Sequence, residues 1–298
     1  MKKTIIILAL MLGNILTGWC DSSLNILPVP QKIVMGEGTF VVKKGLAIVS
    51  TDANDFSANF LQDKLEEVFD FPITLTRQSV NEGFIRFETD KSLPEEGYRL
   101  DVTAKGITIV SATPAGKYYG VQTLLQLFPS EVYSGEHLRL KEYPMEVVTV
   151  EDAPRFGYRG FMLDVSRTFF ELDYLKRYID WMSFHKLNKL HLHLTDDNGW
   201  RIEIKKYPEL TRKGAWRGKN ELIPPTYLSG SERYGGYYTQ KEMKELITYA
   251  QQRNVMIIPE FDLPGHALSS TAVFGNVTCD THTDKPSACG EFDNVWCV

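Results

Sequence analysis

Basic stretches are what this chain most conspicuously lacks. Across 298 residues, 33 Lys and Arg face 38 Asp and Glu, for a net charge of −5. No run of like charge offers a phosphate backbone a landing surface, which argues against a nucleic-acid partner. Cysteine is scarce too: there are four, without CxxC spacing, and a structural zinc site would need more Cys or His ligands close by. Residues 24–150 contain neither HExxH nor a glycine-rich phosphate loop, so this half shows no chemistry of its own. Nothing in the chain is repetitive or low in complexity, and with 43% apolar and 24% charged residues the composition is that of a globular protein with a core.

Met1 to Cys20 stand apart. Lys2 and Lys3 precede an apolar run from Ile5 to Leu16, the n-region and h-region of an export signal, too short for a transmembrane span. Cys20 is either the lipid-modified first residue of a mature lipoprotein or lies just past ordinary cleavage near Gly18. A lipid at Cys20 would be the protein's one membrane attachment. In an exported protein, two of Cys279, Cys289 and Cys297 are expected to form a disulfide that clips a surface loop, leaving one thiol over.

Two domains follow. From residue 21 to about 150 the pattern is mixed. Phe56, Phe60, Leu61, Leu65 and Val68 recur at helical spacing, alternating runs at 83–88, 98–102 and 107–110 predict strands, and 115–128 predicts a helix. This is an α+β sandwich of one sheet and a few helices, with Pro144 and Pro154 bracketing a short connection. From 151 to 298 the rhythm becomes strand, helix, strand, helix, strand. Apolar strands are expected at 160–165, 189–194 and 255–259, with a helix around Leu172 to Met182 and another capped by Thr239 and Glu242. Between Asp196 and Tyr238 runs a long loop rich in Gly, Pro and Tyr. Buried strands in repeated βα units mean a parallel sheet. About three units fit, and a closed eight-unit barrel needs ~250 residues, so the expected fold is an α+β domain followed by a partial (β/α)8 barrel.

Polar groups gather at the C-terminal ends of these strands, where barrel enzymes keep their active sites. Asp164, Ser166 and Arg167 follow the first strand, Asp196 and Asp197 the second, and Glu260, Asp262 and His266 the third. With Trp200, Trp216, Tyr237 and Tyr238 read as exposed rings nearby, the mixture suits a neutral polyhydroxylated ligand. Carboxylates and Arg would take its hydroxyls, and flat rings its sugar faces. His191-x-His193 also admits a metal-dependent amidohydrolase, but that chemistry wants further His, Lys and Asp ligands on later strands. Strand histidines donating to backbone or to neighbouring acids account better for the pair. A glycan-binding module without catalysis is the other rival.

Four segments together closely resemble glycoside hydrolase family 20, the β-N-acetylhexosaminidases. They are Arg159 to Arg167 (RGFMLDVSR), His185 to Arg201 (HKLNKLHLHLTDDNGWR), Gly236 to Thr239 (GYYT) and Pro259 to His266 (PEFDLPGH). The stretch Gly116 to Leu127 is similar to the accessory domain that precedes the barrel in that family. The resemblance implies release of terminal β-linked N-acetylglucosamine or N-acetylgalactosamine with retained anomeric configuration and without a cofactor. The nucleophile would be the substrate's own 2-acetamido oxygen. It further implies that Arg167 binds the sugar's 3- and 4-hydroxyls, and that Asp196 and His266 form a relay tuning the acid Glu, with Asp262 helping to hold His266. The acid Glu and the Asp before it, which orients the acetamido group, belong to the end of the fourth strand, beyond Val298. No other adjacent pair substitutes: Glu66-Glu67 lies on the accessory helix, Glu95-Glu96 in a turn and Glu151-Asp152 in the linker. Cys279 and Cys297 match a loop disulfide of the family just before that strand.

Overall fold

The computed structural model describes residues 24–134, 137–226, 229–274 and 277. The export signal and all four cysteines lie outside the described residues.

The first domain is built on one mixed sheet of seven strands. These are β1 (Lys32–Lys43), β2 (Ala47–Val49), β3 (Thr74–Thr76), β4 (Phe84–Thr89), β5 (Tyr98–Thr103), β6 (Gly106–Ser111) and β7 (Glu142–Asp152). They run in the order β1-β7-β5-β6-β4-β2-β3. Pairing is antiparallel from β1 to β6 and parallel from β6 to β3. Alternating burial along β5 marks a sheet with one covered face. Helix α1 (Phe56–Val68) starts where the Asp55 carboxylate accepts the amides of Ser57 and Ala58. Its buried Ala58, Leu61, Leu65 and Val68 form one stripe. Helix α2 (Pro114–Leu125), with Pro at its first turn and Thr113 as cap, is buried almost throughout from Tyr118 to Leu125. Both helices share the core with Leu100, Ile107, Ile109 and Val150.

Two expectations change here. Pro144 does not bracket a connection, because it sits inside β7 opposite Val41 of β1. Strands β1, β2 and β3 went unread in the sequence, since β1 is largely exposed and the other two span only three residues each.

The second domain begins with β8 (Gly160–Asp164), α3 (Leu172–Phe184) and β9 (Lys189–His193). The long loop that follows is ordered, through β10 (Thr195–Asp196), β11 (Gly199–Trp200), α4 (Glu209–Arg212), β12 (Trp216–Arg217) and β13 (Tyr234–Gly235). Then come α5 (Gln240–Gln252), β14 (Met256–Glu260) and α6 (Leu268–Thr271). Thr239 and Glu242 form the expected capping box on α5. Strands β14, β9 and β8 lie side by side in that order, all parallel. Leu163, Leu190, Leu192 and Ile257 pack with Leu175 and Ile179 of α3 and Leu246 and Ala250 of α5. Because side chains alternate across a strand, Met162, His191 and Ile258 face the opposite way, into the barrel. Asp164, His193 and Glu260 form the next row, at the C-terminal end, and register places them side by side. Strand β8 is not the buried strand its composition suggests. Among the described residues it is one edge of the sheet, with Phe161 53% and Met162 49% exposed. Among the described residues no helix is long and apolar enough to cross a membrane.

The two domains meet through buried ions. Lys186, 4% exposed, donates to the Tyr98 hydroxyl at 2.7 Å and to Asp152 at 2.9 Å. Arg159 grips both oxygens of Glu96, at 2.9 and 3.1 Å, and donates to the Lys186 carbonyl at 2.7 Å. These residues stand immediately before β8 and β9, so the accessory sheet sets the starts of the strands whose ends carry the polar cluster. Burial lowers the Lys186 pKa against the pull of Asp152. Removing one partner of a buried pair costs ~3–5 kcal/mol. Lys186→Met should therefore lower the urea unfolding free energy by about 3 kcal/mol, whereas Lys105→Met, on an exposed turn, should stay within ~0.5 kcal/mol.

Candidate functional site

The polar cluster at the strand ends alternates in charge. Asp164, at the end of β8, accepts the backbone amides of Ser166 and Arg167 through Oδ1, at 3.0 and 2.9 Å, and Arg167 Nη1 through Oδ2 at 2.7 Å. Arg167 Nη2 stands 2.5 Å from Asp196 Oδ2. The same oxygen lies 2.9 Å from His193 Nε2, and His193 Nδ1 lies 2.8 Å from Glu260 Oε2. His191 Nε2 then meets Glu260 Oε2 at 2.7 Å. One chain of contacts between acidic and basic side chains thus links the ends of all three barrel strands.

Asp196 is the buried centre of this chain, with no solvent exposure. Burial favours its neutral form, but His193, the Asp197 amide and Arg167 outweigh burial and hold its pKa below the usual carboxylate range. His193 is pushed the other way. Burial opposes its charge, yet hydrogen bonds to Asp196 and Glu260 raise its pKa to about 9. Asp197 is raised by burial and by the neighbouring Asp196. Its Oδ1 accepts the Leu268 amide at 2.9 Å, tying the loop after β14 to the loop after β9.

Arg167, Asp196, His266 and Asp262, the residues picked out in the sequence, do come together, though not in one arrangement. His266, at positive φ of 50°, places Nδ1 3.5 Å from Asp196 Oδ1 and 3.9 Å from Asp197 Oδ2. The Asp262 carboxylate groups within 4.8 Å of His193 and Asp196, and its backbone amide donates to Thr195 at 2.9 Å. Asp196 is therefore common to both groups. Two aromatics read as exposed are not. Tyr238 is 1% exposed and donates its hydroxyl to the Phe170 carbonyl. Trp200, at 7%, gives its indole N–H to the Ile202 carbonyl. Both belong to the core because each polar tip finds a carbonyl inside. Trp216 lies under the Arg233 guanidinium at 3.5 Å, and Tyr237 is 36% exposed.

Two triads, His193-Asp196-Asp262 and Asp196-Asp197-His266, bring donor atoms within 4.8 Å. An ion in either would share Asp196 with the Arg167 guanidinium already seated on it. The HxH pair converges on Glu260. Both facts favour ion pairing over metal ligation.

Two residues named in the sequence without a role turn out to matter. Glu260 ends β14 beside His193 in the parallel register, and period two on β9 puts His191 and His193 on one face, so the pairing was available once the strands were aligned. Arg201 gave no such signal. It is fully buried and donates to the carbonyls of Val165, Ser166, Asn198, Ala215 and Gly236 at 2.5–3.2 Å. Burial, with Arg217 nearby, lowers its pKa to about 10. A Cβ on Gly199 would overlap its guanidinium.

Comparison with known proteins matches residues 23–153 to domain 2 and residues 156–297 to the catalytic domain of glycosyl hydrolase family 20. A β-hexosaminidase of Porphyromonas gingivalis is 37% identical over 285 residues, covering 93% of this chain and 35% of that protein. A solved family 20 exo-β-N-acetylglucosaminidase from Vibrio harveyi, in complex with N-acetylglucosamine, is similar with a TM-score of 0.78 at 35% identity. It covers 91% of this chain and 41% of its own. A mutant Streptomyces plicatus β-hexosaminidase in complex with N-acetylglucosamine gives 0.76 at 36% identity, covering 85% and 49%. The chain spans less than half the length of each of these proteins.

Arg201 makes the sharpest test of how the site is built. Lysine keeps the charge and loses the planar fork, leaving buried carbonyls unpaired. Arg201→Lys should cost ~3 kcal/mol or more, read as a lowered urea midpoint, and an unchanged midpoint would show that the loops hold themselves.

Proposed function

The chain belongs to glycoside hydrolase family 20, and from that premise we propose that it is part of a β-N-acetylhexosaminidase acting on terminal non-reducing β-linked N-acetylhexosamine. The 2-acetamido oxygen would attack the anomeric carbon while a Glu protonates the leaving oxygen, so configuration is retained through an oxazolinium intermediate. N-acetylglucosamine or N-acetylgalactosamine ends of glycans would be the substrates. Residues 1–20 would direct the protein out of the cytoplasm, with Cys20 as lipid attachment point or first residue after cleavage.

One observation carries the reading: Arg167, fixed between Asp164 and Asp196 yet with its side chain 31% exposed, presents a positioned guanidinium at the barrel rim. A planar fork suits two adjacent sugar hydroxyls, in keeping with its role on the 3- and 4-hydroxyls. Asp196, His266 and Asp262 would shape the field felt by the acid Glu, whose pKa has to lie near the working pH to donate a proton. None of the sequence's adjacent acid pairs other than Asp196-Asp197 stands at a barrel strand end, and Asp196 is taken up by Arg167 and His193. The acid therefore has no counterpart among the described residues. Because a general acid contributes ~10²–10⁴ in rate, this reading gives the described residues the sugar-binding part of the site and leaves proton donation to an acid outside them.

Calorimetric titration with N-acetylglucosamine, alongside incubation with an aryl N-acetyl-β-glucosaminide, tests it. Binding should weaken about tenfold or more in Arg167→Met, the loss of one charged hydrogen-bonding partner. Equal affinity in the variant rejects the role of Arg167. Brisk turnover by the chain itself would mean that the acid is among its own residues.

A further inference from the structure

We propose that His193 is a positioning residue held as an imidazolium, which fixes Asp196 as a permanent anion anchoring Arg167 instead of a proton carrier to His266. The inference deepens the reading of the rim as a hexosamine site and rests on it.

Hydrogen counting leads to this conclusion. A neutral imidazole carries one N–H and one lone pair. His193 sets both ring nitrogens against carboxylate oxygens, Nε2 at 2.9 Å from Asp196 and Nδ1 at 2.8 Å from Glu260. With one proton on the ring, a lone pair would face an anionic oxygen unless one of the acids took the proton. Asp196 is a poor candidate to take it. Its Oδ2 already faces Arg167 at 2.5 Å and its Oδ1 accepts the Asp197 amide at 2.5 Å, and protonation would weaken these charge-assisted contacts. Glu260 is the remaining candidate, but its Oε2 also faces His191 Nε2 at 2.7 Å.

The wider field favours charge on the ring. Asp164 from β8, Asp196 from the β10 segment, and Glu260 and Asp262 from β14 and its loop surround His193, and the opposing guanidinium is Arg167. Four carboxylates against one guanidinium leave room for a second cation, and His193 supplies it. His266 lies beyond Asp196 at 3.5 Å. With Oδ2 of Asp196 shared between two cations, the carboxylate acts on the rest of the site through its charge and its grip on Arg167.

Linkage fixes the sign of the pH effect. A histidine whose folded pKa is raised contributes stability that is whole below about 6.5 and lost as pH rises through about 9. The unfolding midpoint of the chain should accordingly fall between these pH values, and His193→Gln should flatten that fall. The direct test is nitrogen-15 NMR of the chain labelled at its six histidines, with His193 assigned by its loss in His193→Gln. Both ring nitrogens should read as protonated at pH 8, and Glu260→Gln or Asp196→Asn should lower the midpoint by about one pH unit or more, the effect of removing one adjacent charge. A neutral ring with a single N–H at pH 7 in the unaltered chain would overturn the proposal. So would a midpoint that neither substitution moves. Absence of N-acetylglucosamine binding by a chain whose His193 still shows the imidazolium signature would instead overturn the functional reading.

Discussion

Arg201 is the constraint on which the barrel end of this structure depends. A guanidinium buried without an ion-pair partner among the described residues would ordinarily be prohibitive. Here five main-chain carbonyls from four separate segments take its N–H groups. Those segments are the turn after β8, the bend between β10 and β11, the turn before β12 and the residue just after β13. Without the cation, their carbonyls would be left in a dry interior with no donor. With it, Val165 and Ser166 are pinned, and they lie between Asp164 and Arg167 in sequence. The geometry of the rim is thus inherited from a residue that faces away from it.

Above that foundation, charge alternation organises the rim. Arg167 lies between Asp164 and Asp196, His193 between Asp196 and Glu260, and Glu260 between two histidines. Asp196 and His193 are buried enough to need their neighbours, and those neighbours come from other strands or loops. The arrangement couples strand register to electrostatics. A slip of β14 by one residue would turn Glu260 to the helix face and leave His193 with one acid. The ion pairs of Lys186 and Arg159 at the opposite strand ends hold the starts of β8 and β9, so the accessory domain contributes to the site without touching it.

Local patterns carried much of this in the sequence. Helices α1, α3 and α5 announce themselves through apolar spacing, and α1 and α5 also through their caps, because a helix face and its first turn are set by residues a few positions apart. Strands β8, β9 and β14 read as apolar runs for the same reason, and their ends marked the polar clusters correctly. Short β2 and β3 and the exposed β1 carried too little pattern to stand out. Pro144 misled because a proline in a strand is tolerated wherever its missing N–H has no partner to satisfy. The long loop after β9 looked irregular, since its order comes from a buried arginine reaching distant carbonyls, which leaves no period behind.

By itself, the sequence determined the family, the two-part architecture and which residues crowd the strand ends, because motifs and periodicities are one-dimensional records of contacts along the chain. Tertiary structure alone decided that Trp200 and Tyr238 are interior, that Asp196 is sealed from water, and that His193 lies between Asp196 and Glu260 while His266 stands further off. Those outcomes depend on parallel register and on burial, both of which are made by residues far apart in the chain. Whether a carboxylate accepts from a histidine or an arginine is settled by a few tenths of an ångström in a low-dielectric interior, a distance that exists only after the strands have packed.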